Sequence, residues 1–421
     1  MKYFLLLLLV SCSTTQKASK ASKIICNDLN LGADFTYSEY YSKEFQSALP
    51  KEQLAEIYSQ VKGQYGDCVE VVDFKASING DKFSTKHENG QIIDLTIVEK
   101  NSKITGLWIL GERTKPINYA DFKEAKDDIN SLSRPSLLIL KNENPILSIN
   151  ENKRTPLGST FKLFVLDGLL QQIKDKKSTW EDELKISNNL KSLPSGEMQN
   201  MEDGEFASLY EYAQKMISIS DNTATDHLIE KIGRTSVERQ IKSRGLKLSY
   251  GWNRPFLTTK ELFQVRSSFN ATDYKKYANN TTTGRILQLQ KVSRVKTDEL
   301  MNKLSGWQTP RGVLDTEWFS SPKEICRLLT YFDQENSEEI DSILSKNTPF
   351  ADKDLFDKIY YKGGSEPGVL QMAYYFKKKQ DRYCLFIGTH DLQSSIDETS
   401  FFEKVKATIK LIQADLPKED S

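Results

Sequence analysis

Between residues 34 and 110 the apolar positions change period once. Over Ser38–Ser47 and Lys51–Lys62 they recur every three or four residues, which predicts two amphipathic helices. From Cys68 onward they alternate or run together, which predicts strands at Cys68–Ile78, Lys82–His87, Gln91–Val98 and Ile104–Leu110. Helices followed by an antiparallel meander predict a small α+β domain over 26–112. A polar linker at 113–118 leads to a second domain over 119–417. It opens with a helix at Tyr119–Ser131 and strands at Ser136–Leu140 and Pro145–Ile149. A helix around Ser159 and a helical insertion from Glu181 to Phe269 follow, with further helices near Thr283 and Ser321. Strands Lys358–Tyr361, Val369–Phe376 and Tyr383–Ile387 and a last helix at Phe401–Ala414 complete it. Strands at both ends with helices between predict a five-stranded antiparallel sheet covered by helices on both faces.

The first 25 residues read differently. Met1-Lys2 and the apolar run Tyr3–Val10 are too short to cross a bilayer and read as a secretory signal over 1–11. Leu9-Val10-Ser11-Cys12 matches the lipobox of bacterial lipoproteins, in which Cys12 becomes the acylated first residue. Ser13 after it resembles proteins sorted to the outer membrane, so the expected location is the periplasm, on a lipid anchor at Cys12. Residues 12–25, rich in Ser, Thr, Lys and Ala, read as a flexible tether.

Composition narrows the partners. The 421 residues carry 58 basic and 58 acidic side chains, a formal charge of zero, which gives no reason to expect nucleic acid. The run Lys377-Lys378-Lys379 is read as a solvated hairpin turn. Cys26 and Cys68, both in the first domain, could pair in an oxidising compartment, whereas Cys326 and Cys384 are read as buried small hydrophobes.

Candidate chemistry begins at Gly158-Ser159-Thr160-Phe161-Lys162. Residues three apart share a helix face, so the Lys162 amine can reach back to the Ser159 hydroxyl, and a lysine with a lowered pKa can activate that serine as a nucleophile. Ser220-Asp221-Asn222 falls between two helical stretches, and Lys362-Gly363-Gly364-Ser365 follows a strand. The serine-lysine pair, the Ser-Asp-Asn turn and the Lys-Gly strand come in the order found in class A β-lactamases. Over roughly residues 120–415 the chain resembles these penicillin-recognising serine hydrolases, and Leu193-Pro194-Ser195-Gly196 and Met216–Ala224 also read like family text.

The resemblance implies a set of roles. Ser159 is the expected nucleophile, Lys162 its base and Ser220 the proton relay to the leaving group. Asn222 would hold the substrate amide or face Lys162, Lys362 would supply positive charge for a substrate carboxylate and depress the pKa of Lys162, Gly363, Gly364 and Ser365 would complete the substrate-binding strand, and the backbone N–H groups of Ser159 and Ser365 would form the oxyanion hole. Asp221 would turn inward to fix its turn. No cofactor and no metal are expected, since His87, His227 and His390 with the remaining cysteines lack ligand spacing. The first domain resembles the NTF2-like (ketosteroid-isomerase-like) cone and is read as a packing or binding module of a monomer.

Two departures bear on activity. The family places threonine where this chain has Gly363, leaving Ser365 to replace the lost hydroxyl. Residues 249–259, where class A enzymes carry the glutamate that activates the deacylating water, contain no acid, and Glu261 beyond them reads as solvated or salt-bridged. The expected function is a serine hydrolase that forms an acyl-enzyme with a β-lactam, a peptidoglycan-derived substrate or a related amide or ester, and deacylates slowly. The alternatives are a penicillin-binding, D,D-peptidase-like protein and a non-catalytic binding lipoprotein.

Overall fold

The structure, a computed structural model, describes residues 18–417 except 78–79, 114–115, 193–194, 296–299, 301–302 and 305–306. The signal sequence, Cys12 and the Leu193-Pro194 part of the family-like text lie outside the described residues. Contacts divide the chain into two units, Met1–Lys115 and Pro116–Ser421.

The first unit sets helices α1 (Lys20–Leu31), α2 (Tyr37–Tyr40), α3 (Lys43–Ala48) and α4 (Lys51–Tyr65) with a meander of β1 (Cys68–Lys75), β2 (Asp81–His87), β3 (Ile92–Lys100) and β4 (Lys103–Glu112). Strand β3 alternates as expected, with Ile93, Leu95 and Ile97 buried. Two expectations are corrected. The tether reading fails from Lys20 onward, because Ala21, Ile25 and Leu29 recur every fourth residue and bury one face of α1, capped by the Ser19 hydroxyl on Ser22 N. The single helix expected over 38–47 is two short ones, broken by extended backbone at Tyr41 and Ser42. The Cys26–Cys68 disulfide forms and ties α1 to β1. Beneath it, the Tyr41 hydroxyl donates to Asp28 at 2.8 Å and meets the Tyr58 hydroxyl at 2.7 Å, all three residues being buried.

In the second unit, β5 (Ser136–Lys141), β6 (Asn144–Ile149), β11 (Lys358–Glu366), β12 (Val369–Lys378) and β13 (Asp381–His390) form the expected antiparallel sheet. Its order is β11-β12-β13-β5-β6, so β11 is an edge. Helix α5 (Phe122–Ile129) and the last helix, Glu398–Ala414, cover one face through Ile129, Phe401, Val405 and Ile409. The other face carries the larger core around α6 (Lys162–Lys174), α7 (Leu209–Ser218), α8 (Asn222–Ile232) and the helix Pro322–Gln334.

The insertion over 181–269 is not wholly helical. Residues Glu183–Lys185 and Phe206–Ser208 pair as a short ribbon ahead of α7. The reading of Cys326 and Cys384 is also corrected: they form a disulfide with Cα atoms 5.7 Å apart. Both are buried, as small hydrophobes would be, but the helix Pro322–Gln334 packs across β13 and brings the two thiols together. Their separation of 58 residues carried no local signal of that contact.

Candidate active site

Ser159 lies in a 3₁₀ turn, Gly158–Phe161, directly before α6, so it precedes the α-helix and does not cap it. Lys162 opens α6, and the apolar residues from Leu163 to Leu166 carry that turn into the core. A lysine can sit at 0% exposure there because its amine is surrounded by hydrogen-bond partners.

The three motifs meet. Lys162 Nζ lies 3.2 Å from Ser159 Oγ, 3.1 Å from Ser220 Oγ, 2.6 Å from Ser220 O and 2.8 Å from Asn222 Oδ1. Lys362 Nζ, on β11, donates to Ser220 Oγ at 3.1 Å and to Gly363 O at 2.7 Å. Both lysines are pushed down from the ordinary range. Lys162 falls well below it through burial first and the Lys362 charge second, opposed by Asp221 and Asp226. Lys362 drops to about 7 through burial.

The Ser-Asp-Asn corner is held by its middle residue. Asp221 Oδ2 accepts from Glu197 N at 2.6 Å and Met198 N at 2.8 Å, and Oδ1 caps α8 through Ala224 N at 2.8 Å. Asp221 is thus turned inward, as its residue type suggested. Ser220 takes a left-handed φ of 60°, a conformation that costs a side-chain-bearing residue of order 1–3 kcal/mol. That backbone is pinned by Ser195 Oγ, which donates to Ser220 O at 2.9 Å, and by Asn222 N on Ser195 O at 3.0 Å. Ser195, quoted in the sequence only as similar text, is therefore a second support of the corner.

Two glycines set the distance between the Ser159 turn and the edge strand. A Cβ on Gly364 would lie 2.6 Å from Ser159 N, and one on Gly158, whose φ is +48°, would lie 2.8 Å from Ser365 N. Only glycine at both places lets the two N–H-bearing segments abut. Ser365 itself is exposed. Gly363 is different, because the space for its side chain is taken by the hydroxyl of Tyr361 on the same strand.

The cleft over these groups measures about 880 Å³ and has apolar walls that include Phe161, Ile217, Leu262, Trp307 and Trp318. Thr259, which sequence spacing gave no means of finding, also lines it, and its hydroxyl donates to the buried Asp226 at 2.8 Å. Among the described lining residues Glu366 is the sole carboxylate, and it is bound to Arg266 at 2.7 Å. Glu261 pairs with Arg234 at 2.6 Å and closes a capping box with Thr258, which is the salt-bridged reading of the sequence. Among the described residues no group of acids, histidines and cysteines is placed to hold a metal.

This architecture, a five-stranded antiparallel sheet with helices on both faces and a cleft at its edge strand, defines a β-lactamase/transpeptidase-like α+β domain. The family model described as the β-lactamase enzyme family matches residues 133–410, and the chain belongs to that family. Two solved structures show the same fold. The β-lactamase from Sphaerobacter thermophilus is 15% identical, with 72% of this chain and 100% of that chain covered and a TM-score of 0.50. The TLA-3 extended-spectrum β-lactamase is also 15% identical, with 70% and 99% covered and a TM-score of 0.50. No curated protein matches the chain.

Proposed function

We propose that this protein is a serine hydrolase that opens a β-lactam or a related amide or ester through an acyl-enzyme on Ser159. The observation that carries the reading is the set of contacts around Lys162 Nζ. A neutral amine has two N–H groups and one lone pair. With the two hydrogens given to Ser220 O at 2.6 Å and Asn222 Oδ1 at 2.8 Å, the lone pair is left for the Ser159 hydroxyl at 3.2 Å. Lys162 then takes the Ser159 proton as Oγ attacks the carbonyl carbon. The negative charge on the carbonyl oxygen is met by Ser159 N and Ser365 N, which the two glycines allow to abut. Ser220 Oγ, within 3.1 Å of both lysine nitrogens, passes a proton to the departing nitrogen or oxygen. Lys362, Asn222, Gly363 and Gly364 shape the substrate side of the cleft.

The absence of an acid from 249–259 and the engagement of Glu261 and Glu366 favour an acyl-enzyme that hydrolyses slowly. That observation also supports a second reading, a penicillin-binding, D,D-peptidase-like protein. A fluorescent penicillin tests the first reading: covalent label on the wild type and none on Ser159→Ala is expected, and an unlabelled wild type would leave a non-catalytic binding protein. Turnover of a chromogenic cephalosporin then separates hydrolysis from simple acylation.

We further infer that Cys12 carries a lipid anchor, on the lipobox, and that the anchor sits in the outer membrane, on Ser13 after it. Palmitate incorporation lost in Cys12→Ser is the expected result. The helices and four-stranded meander of the first unit support an NTF2-like reading, with a packing or binding role.

A further inference from the structure

One buried side chain ties the Ser159 turn to the sheet, and it belongs to none of the three motifs. Gln371, on β12, is fully buried and stands in register between Gly364 on β11 and Gly388 on β13. Residues directly opposite on neighbouring strands share a face, so the three form one cross-strand row in which Gln371 carries the only side chain. That row faces the Ser159 turn: a Cβ on Gly364 would meet Leu157 O, Ser159 N and Thr160 N. At its other end the amide lies over Gly388, where a Cβ would come 1.6 Å from Gln371 Oε1. From there Gln371 Nε2 donates to Pro156 O at 2.7 Å. Thr155-Pro156 also pairs with Phe319-Ser320, and Leu157 N donates to Trp318 O at 2.9 Å. The segment that enters the Ser159 turn is thus gripped from two sides, by a short ladder and by one amide.

We propose that Gln371 is a positioning residue for acylation: its N–H on Pro156 O fixes the Ser159 turn against β11 and so sets the gap between Ser159 N and Ser365 N. The inference rests on the acyl-enzyme reading above. Two features point to the amide and not to its bulk. Gln371 Oε1 is buried with no hydrogen-bond partner among the described residues, a costly state for a carbonyl oxygen. A methionine fills similar space without an orphaned acceptor, so the N–H to Pro156 O is what the amide alone supplies. The second feature is the pair of glycines. Gly388 leaves the amide room to lie across the sheet and Gly364 lets the turn reach the edge strand, so the hydrogen bond and the close approach sit side by side in one row. Oxyanion donors act through being held in place beforehand, and a small displacement of the turn spoils that placement.

The test follows acylation of the full chain by a penicillin, using intact mass over a range of concentrations. The limiting rate at saturation reports the chemical step, and the half-saturating concentration reports the complex that precedes it. Gln371→Met is expected to lower the limiting rate about ten- to a hundredfold and to leave the half-saturating concentration within about twofold. A purely structural role would instead lower the melting temperature and the fraction of chains labelled while leaving the limiting rate of the labelled chains unchanged, and would overturn the proposal. Gln371→Glu supplies a second readout, since a protonated carboxyl can donate to Pro156 O and an ionised one cannot. Its limiting rate is expected to match the wild type at low pH and to fall behind as the introduced carboxyl ionises. A Gln371→Glu variant as slow as Gln371→Met at every pH would also overturn the role of Gln371, and either failure leaves acylation at Ser159 standing. A wild type that the penicillin does not label sinks the acyl-enzyme reading and this one together.

Discussion

Lys162 and Lys362 share one hydroxyl: each amine nitrogen lies 3.1 Å from Ser220 Oγ. Two ammonium groups cannot both remain charged so close together in a buried site without a large Coulomb penalty, so one proton is readily lost. On the proposed mechanism Lys162 is the neutral member, because its lone pair then has a donor in Ser159.

Removing the base while keeping the bulk isolates this role. Lys162→Met is expected to slow acylation by penicillin ~10²–10⁴-fold, the usual range for loss of a positioned base, and Ser159→Ala to abolish it. Stopped-flow quenching of intrinsic fluorescence, or intact mass, measures both. Labelling of Lys162→Met at the wild-type rate would assign the base elsewhere.

The pH profile follows from the same pair. On the acyl-enzyme proposal, acylation is expected to rise as Lys162 loses its proton and to fall as Lys362, with a pKa lowered to about 7, loses its own, giving a rate that is bell-shaped in pH. In Lys362→Gln the neighbouring charge that depresses Lys162 is gone, and the ascending limb is expected to move to higher pH. A limb that stays in place would show that burial alone sets the Lys162 pKa.

Stability carries the opposite trace of this arrangement. A lysine whose folded pKa is lowered binds fewer protons folded than unfolded between about 7 and the unfolded value near 10.5, so its contribution rises with pH across that window and is lost as pH falls back through it. Urea unfolding of Lys362→Met is expected to show higher stability than wild type at pH 7 and a shallower rise toward pH 9. A parallel pair of curves would contradict the linkage.

Close approach of backbone to backbone makes Gly364 sensitive. A methyl group there meets Leu157 O and Ser159 N, and strand β11 must retreat from the Ser159 turn. Gly364→Ala is expected to cost ~10²–10³ in acylation rate, the range for losing an oxyanion donor, and to lower the melting temperature as well, because the atoms it meets are backbone.

The proposed slow hydrolysis would have its own signature. With Glu261 and Glu366 each paired to an arginine, a burst of one equivalent of product followed by a slow steady state is expected with a chromogenic cephalosporin. Linear progress from the first turnover would mean that another group activates the water efficiently.

The second-unit disulfide is a separate test of the fold. Closing 58 residues of chain stabilises by roughly 4 kcal/mol in the chain-entropy view, so Cys326→Ser with Cys384→Ser is expected to lower the unfolding free energy by a few kcal/mol. Calorimetry with and without reductant measures it, and an unchanged wild type in reductant would argue against the bond.

Local pattern determined much of this protein. The period of β3, the antiparallel sheet and the positions of Ser159, Lys162, Ser220 and Lys362 were legible because strand alternation and short motifs are written within a few residues of one another. The inward turn of Asp221 was legible too, since a carboxylate at the head of a helix seeks backbone donors.

What only the tertiary structure decided lies between segments. Cys326 and Cys384 read as separate hydrophobes until a helix laid across β13 joined them, and helix α1 was hidden by a lysine- and serine-rich composition until its one apolar face found a core. Gly363 looked like a lost hydroxyl; the structure shows the Tyr361 oxygen in that space. The physical reason is common to all three. Propensity and spacing act over a turn or a strand, whereas burial, proximity and the pKa of a buried amine arise when surfaces distant in the chain exclude water together.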